Sequence, residues 1–436
     1  MAGAPQRRHA GGFFSTGIAW LLGLILLIGV LPVAALDQVR LTTLSEVQLG
    51  NLPDKSPQDL RTIYHQLNLD YTASGFQLGL RSENFDSSEP GRNYNHLAQR
   101  FAYYRRGHLE VAAGHFFSIM GNGLLLHAFE LPGVLTEARA ARRRYQLTRD
   151  LDGLQVGYRW KGADIRLLRG TPVDSGTAPG LEGVERRAGT VQGGSIQLRP
   201  RGGLSGGIGV LQLKEDGVDE LGATVHARLR LVHLLERLGI EGMVPELYGE
   251  YAQREVEMDR WFSLDRDLPR ALYLAGTLAA GSWGLSLEYK DYRDFVVGGV
   301  NNPPTLIREH GAFLLNRDTH ALLADDESGL QTELTYAFAG GQMLTANFTR
   351  AKRRLDPGEK DDMDLQEVFV QADSPVGATL QAQVWVDFSR DLIFKNERRK
   401  AVGSVWDWQL NEVYGLNADA QFQTVDRTFT FSLIHS

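Results

Sequence analysis

The sequence predicts an all-β fold: a single large antiparallel transmembrane β-barrel of about 18–20 strands, with an N-terminal signal helix. Three observations carry that prediction. The chain opens with an export signal and has no second long apolar run. The residues after it alternate between polar and apolar in segments about 9 to 14 residues long. Tight turns also alternate with long polar loops along the chain.

The signal comes first. Arg7, Arg8 and His9 precede thirteen apolar residues, Ile18 to Val30, and Val33, Ala34 and Ala35 supply small side chains before Leu36. That order reads as a secretory signal. The run falls short of the roughly 20 residues that a membrane-spanning helix needs. The expected organisation is a signal peptide over 1–35, cleaved near Ala35/Leu36 after Sec export, followed by an outer-membrane barrel over 36–436. The 436 residues include no cysteine, which excludes a disulfide scaffold, a thiolate metal site and a lipid-modified N-terminal Cys. A net charge of -7 argues against nucleic acid as a partner, because phosphate binding calls for a basic face.

The strands follow from period two, which puts alternate residues on opposite faces. In Ser282–Lys290, Trp283, Leu285, Leu287 and Tyr289 share one face, while Ser286, Glu288 and Lys290 share the other. The same split recurs over Leu330–Phe338, Leu380–Phe388, Tyr414–Gln423, Phe76–Leu80 and Leu221–Leu231. Alternation alone fits a soluble sandwich equally well; segment length and turn pattern favour the membrane barrel. Tight turns are expected at Thr72–Gly75, Arg105–Gly107, Gly281, Ala339–Gly341 and Ser374–Gly377, with long loops at Ser82–Asn95, Thr171–Gly189, Val296–Ser328 and Leu355–Asp362. Tyr103, Tyr104, Trp160 and Trp283 lie beside the turns and are expected to form one interfacial girdle. Arg228, Arg230, Glu288, Lys290, Gln381 and Asp387 fall on the polar phase and are expected to line the lumen.

A barrel that wide cannot fill its interior from its wall alone, so water or a folded-in segment must occupy it. Residues 107–147 are the candidate, being too apolar for open water. Gly121, Asn122 and Gly123 break the chain before Leu124–Leu126, in a spacing that matches no phosphate-binding glycine loop. Thr136–Arg144 has helical composition with Thr136 as N-cap. Its Arg139, Arg142, Arg143 and Arg144 either face solvent, the weightier reading, or line a pore with positive charge. The loop Val296–Ser328 is a second candidate to fold inward.

Chemistry-bearing constellations are weak. Histidines 96, 108, 115 and 127 have no metal-ligand spacing. Asp356, Glu359, Asp361, Asp362 and Asp364 form an acidic loop without an EF-hand pattern, so solvation is favoured over calcium. Ser118 and Ser286 stand in no nucleophile motif. No enzyme activity, cofactor or metal is expected.

Gly114-His115-Phe116-Phe117 through Gly121-Asn122-Gly123-Leu124, the spacing of Glu130 and Gly133, and later Arg308-Glu309-His310 with Leu315-Asn316-Arg317 resemble an uncharacterised family of exported β-barrel proteins. That family is known mainly from Bacteroidota-type bacteria and carries a domain of unknown function. The resemblance implies an outer-membrane barrel over most of the mature chain and supplies no substrate or catalytic residues; Glu130, Glu309 and His310 stand among the lumen or plug candidates. Outer-membrane lipid and the barrel-assembly machinery are the expected partners. The final segment, Arg427–Ser436, departs from many such barrels by ending in Ser436 and not in an aromatic residue. The expected function is a porin-like or substrate-specific passage for small polar solutes; the alternative is a plugged barrel serving as anchor or as a binding or assembly component.

Overall fold

The computed structural model describes residues 38–51, 58–138, 143–173, 186–199, 202–215, 217–255, 262, 268–297, 299–305, 326–353, 363–391, 397–409, 415–425 and 428–435. The predicted signal peptide lies outside the described residues. The strands run in chain order as β1 (Val39–Asn51), β2 (Asp59–Ala73), β3 (Phe76–Ser87), β4 (Tyr94–Arg106), β5 (Leu109–Phe116), β6 (Ser118–Ile119), β7 (His127–Ala138), β8 (Arg143–Arg149), β9 (Leu151–Trp160), β10 (Ala163–Pro172), β11 (Thr190–Leu198) and β12 (Leu204–Glu215). They continue as β13 (Val218–Arg230), β14 (Met243–Gln253), β15 (Arg270–Ala280), β16 (Trp283–Arg293), β17 (Glu327–Ala337), β18 (Met343–Arg353), β19 (Met363–Val376), β20 (Leu380–Asp391), β21 (Glu397–Gln409), β22 (Gly415–Val425) and β23 (Thr428–His435). A short helix, α1 (Val232–Arg237), stands between β13 and β14.

Strands β1–β5 and β9–β23 form one 20-stranded antiparallel sheet, at the upper end of the predicted range. Each strand pairs with its chain neighbour, except that β5 pairs directly with β9 from Leu109↔Tyr158 to Phe116↔Leu151. The wall strands run from 8 to 15 residues, most of them long enough to cross a bilayer at a tilt. At one end they join through tight turns. Ser74-Gly75 is the clearest, because Gly75 has φ +86° and a Cβ there would sit 2.4 Å from the Arg105 carbonyl oxygen. The longer connections are at the other end. The alternation slips three times: β12 meets β13 across residues 216–217 and β22 meets β23 across residues 426–427 at the long-loop end, and α1 occupies the short-turn end.

The two faces of the sheet differ as period two requires. Leu41, Leu78, Leu167, Ile208, Leu274, Leu334 and Phe388 are exposed on the outer face, in the belt that a lipid-facing wall needs. Among the described residues no helix is long and apolar enough to cross a membrane. On the inner face, Gln66, Glu83, Thr224, Glu250, Glu367 and Asp387 are buried. An inserted lobe touches Arg81 on β3 and Glu250 on β14 from that same side. One face meeting both partners means that the sheet wraps round the lobe, so the architecture is a β-barrel of the outer-membrane type.

Three of the four girdle aromatics stand on the outer face beside tight turns. Tyr104 packs on Phe76 at 4.3 Å between ring centroids, Trp160 is exposed, and Trp283 packs on Tyr336 at 4.5 Å. Tyr103 has the opposite phase and packs into the inner cluster. It shares that phase with Gln99 on β4, so it faces the lobe and not the membrane interface.

Candidate functional site

Because β5 and β9 are direct neighbours, everything between Phe116 and Leu151 is a side excursion from the wall. It folds inward as a lobe of two parts, which together with the facing wall form the candidate site.

The first part is the tip, residues 117–126. β6 pairs with the start of β7 through Ser118↔Ala128 and Ile119↔His127. The chain reverses between them, with the Met120 amide donating to the Leu126 carbonyl at 3.0 Å and the Gly123 amide to the Met120 carbonyl at 2.9 Å. Gly121 and Gly123 hold φ +58° and +95°, values that side-chain-bearing residues seldom adopt. The reversal aims Leu124, Leu125 and Leu126 at the inner wall, and all three are fully buried among Leu168, Val191, Leu211, Leu213, Ala252 and Ala271. Wall glycines make room for them. A Cβ at Gly222 would lie 2.6 Å from the Leu125 side chain, and one at Gly209 would lie 2.8 Å from the Met120 sulfur.

A carboxylate fixes the end of the tip. Glu250 on β14 accepts the Asn122 backbone N–H at 2.6 Å, the Tyr248 hydroxyl at 2.7 Å and the Thr224 hydroxyl at 3.1 Å. A Cβ at Gly121 would come within 2.5 Å of that carboxylate, so the Gly-Asn-Gly sequence also permits the close approach. Buried carboxylates are costly unless their lone pairs are filled, and here three donors converge on one.

The start of the long loop after β16 covers the tip from its other side. Asn301 donates from Nδ2 to the Leu124 carbonyl at 3.1 Å and to the Phe295 carbonyl at 3.2 Å, and its Oδ1 accepts the Val297 amide at 3.1 Å. The His127 amide donates to the Val300 carbonyl at 2.8 Å. The tip and the described start of the Val296–Ser328 loop thus bind each other inside the barrel.

The second part of the lobe is the β7–β8 hairpin, which lies against the opposite stretch of wall. Glu130 pairs with Arg81 and accepts a bond from Gln99 at 3.5 Å. Leu135 and Tyr145 pack on the buried aromatic cluster Tyr64, Phe85 and Tyr94. The described ends of the helix expected over Thr136–Arg144, residues 136–138 and 143–144, are strand. Thr136 pairs with Tyr145, Glu137 with Arg144 and Ala138 with Arg143 as strand neighbours, because docking on a flat aromatic face outweighs the local helical preference.

The remaining candidates fall as follows. Arg142, Glu309 and His310 lie outside the described residues, as does the acidic stretch 356–362. Arg143 is the first residue of β8, and its side chain is not among those described. Arg228 and Arg230 point inward near the short-turn end and share Glu246 at 3.3 and 2.7 Å. Glu288 accepts the Tyr273 hydroxyl at 2.8 Å. Lys290 is buried 3.3 Å from Glu327. Gln381 is exposed, on the inward phase beside a turn. Asp387 is buried against Arg399 at 2.9 Å, and Arg399 also reaches Glu367 at 2.9 Å. Among the described residues no group of three or more His, Asp or Glu side chains is placed to hold a metal ion.

Beneath the tip a cavity opens on its lumen side. Ile119, Met120 and Gly121 roof it, and Asp164, Arg166, Ser195, Gln197, Thr224 and His226 contribute polar wall. Arg166 pairs with none of the described carboxylates, and the buried His226 Nδ1 has no hydrogen-bond partner. The sequence reading missed Glu250, Arg81, Asn301 and this cavity. One signal was available for part of it: inward-phase glycines in β12 and β13 mark a place where another segment approaches closely.

The profile of a family of unknown function, DUF6029, matches residues 50–351. No curated protein matches the chain. Among solved structures the chain is similar to a BenF-like porin from Pseudomonas fluorescens Pf-5, at 11% identity and TM-score 0.47 over 90% of this chain and 98% of that one. It is also similar to Pseudomonas aeruginosa OccK2 (OpdF) in complex with glucuronate, at 10% identity and TM-score 0.47 over 92% and 98%. A third is Pseudomonas aeruginosa OpdK with vanillate, at 10% and TM-score 0.46 over 92% and 99%.

Proposed function

The chain belongs to the DUF6029 family of unknown function, and from that premise we propose that it is a passage for small polar solutes through an outer membrane, its bore set by a lobe fixed inside it. The exposed apolar belt and the turn-side aromatics support the location. The proposal includes export by a signal over 1–35, a mature barrel over 36–436 inserted by the assembly machinery, an origin in bacteria of Bacteroidota type, and no reaction catalysed.

The observation that carries the reading is the cavity beneath the tip. Its polar side includes Arg166 and His226, which have hydrogen-bonding capacity that the wall does not use. Buried or confined polar groups in native proteins are normally satisfied, so unused groups beside a lumen suit a transient polar occupant. Arg142, Arg143, Glu309 and His310 belong to the same proposal as further lining, and Arg228, Arg230, Glu288 and Gln381 as the wall towards the short-turn mouth.

A second reading, a closed barrel that anchors or binds a partner, draws on the tip itself. Three fully buried leucines under a second inward loop suit a permanent stopper as well as a constriction. Purified protein in a planar bilayer separates the two. A steady single-channel conductance that falls when a bulky side chain replaces Ser195 is expected for a passage. Silence after insertion, verified by heat-modifiable migration on a gel, overturns it in favour of the stopper.

A further inference from the structure

The aromatic girdle at the short-turn end has one wide gap. Phe76 and Tyr104 on β3 and β4, Trp160 on β9, Trp283 and Tyr336 on β16 and β17, and Trp406 on β21 all stand on the outward phase toward that end. Between Trp160 and Trp283, across the six strands β10–β15, the described outward positions on the turn side carry no ring. Leucines stand there instead. Register aligns Leu204, Leu229 and Leu247 in one row across β12, β13 and β14, and Leu198, Leu204 and Leu247 are exposed. The apolar belt therefore runs down to the ends of the strands in this sector. At its middle, where β13 passes to β14, stands α1.

The helix is two-faced by its spacing. Leu231, Leu234, Leu235 and Leu238 recur at the i, i+3, i+4, i+7 positions that share one side of a helix, while His233, Glu236 and Arg237 fall on the other. A glycine stop ends it: the Gly239 amide donates to the Glu236 carbonyl at 3.1 Å and the Ile240 amide to the Leu235 carbonyl at 2.9 Å, a closure that returns Ile240 to the Leu235 side. The apolar face begins on the wall, because Leu231 continues the outward phase of Leu229 and its amide donates to the Pro245 carbonyl at 3.1 Å. Leu231 and Leu235 are half-buried there. The rest of the face has no cover from the wall: Leu234 is 53% exposed, Leu238 66% and Ile240 43%, and no residue of α1 is buried. His233, Glu236 and Arg237 are exposed as well.

We infer that α1 is an interfacial anchor. It lies along the headgroup–acyl boundary of the leaflet at the short-turn end, with Leu234, Leu238 and Ile240 in lipid and His233, Glu236 and Arg237 in water, and it replaces the ring girdle over β10–β15. Rings suit that boundary because one end of each is apolar and the other wet; a short helix with leucines on one side and charges on the other meets the same requirement. Lipid is the occupant that the surroundings favour, since the uncovered face is continuous with the leucine row of the lipid-facing wall and sits inside the one sector that lacks rings. The inference rests on the reading of that outer face as lipid-facing.

The chain has no cysteine, so a single nitroxide spin label can be placed at will in the full-length protein. The variants Leu234→Cys, Leu238→Cys, Arg237→Cys and Leu274→Cys are labelled and reconstituted in vesicles of phosphatidylethanolamine and phosphatidylglycerol. Collision with dissolved oxygen, which concentrates in lipid, is compared with collision with a water-soluble nickel chelate. Labels at Leu234→Cys and Leu238→Cys are expected to meet oxygen several-fold more than nickel, at a depth about 5–10 Å below the headgroups. The label at Arg237→Cys should show the reverse. Nickel-dominated collision at both leucine positions places the face in water and overturns the inference. Weak collision with both reagents means that protein covers the face, and overturns it too; spin–spin broadening that disappears on dilution with unlabelled protein would identify the cover as a second copy. Leu274→Cys, in the belt of the wall, is the control. If its label also meets nickel and not oxygen, the lipid-facing reading of the wall fails together with the inference; if it meets oxygen and the α1 labels do not, the inference alone fails. Heat-modifiable migration of each labelled variant shows the barrel intact.

Discussion

The tip of the lobe gives the wall leucines and a backbone amide, whereas the β7–β8 hairpin gives it a carboxylate, a leucine and one tyrosine ring. The wall answers each in kind. Facing the tip are glycines, aliphatic side chains and an acceptor, Glu250, whose own charge is filled by Asn122, Tyr248 and Thr224. Facing the hairpin are Arg81, Gln99 and the Tyr64, Phe85 and Tyr94 rings. Apolar burial is non-directional and roughly proportional to area, so it holds the tip in place without specifying its azimuth. The directional bond to Glu250 supplies that. At the hairpin the roles are exchanged: the ion pair gives direction and the rings give area. A segment held at both ends across a barrel defines an aperture more tightly than one held at a single end.

The comparison can be broken most forcefully at Glu250. Glu250→Ala leaves the Asn122 N–H and the Tyr248 O–H without their acceptor, at about 1–3 kcal/mol for each buried unsatisfied group. Hydrogen exchange at the Met120 and Gly123 amides is expected to accelerate strongly while β7–β8 amides keep their protection. Equal loss at both ends would mean that the lobe is one cooperative unit. Next comes Leu125→Ala, expected to cost about 2–5 kcal/mol through lost burial and the cavity left against Gly222. It should loosen the tip with the ion pair intact, read by the same exchange experiment and by a rise in channel conductance.

Glu130→Gln tests the other end. Arg81 and Glu130 are both mostly buried, and a hydrogen bond to a charged partner is worth about 1.5–3 kcal/mol. Protection should fall in β7–β8 and remain at the tip. The smallest effect concerns pH. Burial lowers the His127 pKa from its usual 6.5, with Arg149 acting in the same direction and the Asn302 carbonyl against it. The docked lobe therefore holds fewer protons than a released one. Docking is fully supported above about pH 6.5 and weakens as pH falls through that value. Exchange at the tip should rise modestly between pH 7 and 5 in the native protein and stay flat in His127→Gln.

Much of the wall was legible from the sequence because one physical rule, alternation across a pleated sheet, repeats in every strand. The turns were legible because tight hairpins select glycine, as at Gly75. The lobe was legible only as a departure from that rule. Thr136–Arg144 looked helical since its composition is helical, and the choice of strand was made by an aromatic face more than forty residues upstream in β2–β4. Glu250 was invisible for a related reason. Its partner Asn122 lies 128 residues away, and nothing local distinguishes that glutamate from other inward polar residues. Trp385 shows the same limit in the wall: it points inward because Gly403 leaves space for its ring.

The pairing of β5 with β9 has a consequence for how the molecule is made. Both ends of the lobe leave the wall at one rim, side by side, so no part of the chain must be threaded through a closed ring. The wall can zip strand by strand, skipping from β5 to β9 at the entropic cost of closing one long loop, which grows only logarithmically with loop length. The lobe can then drop into the finished cylinder from its open end, like a stopper on a short tether.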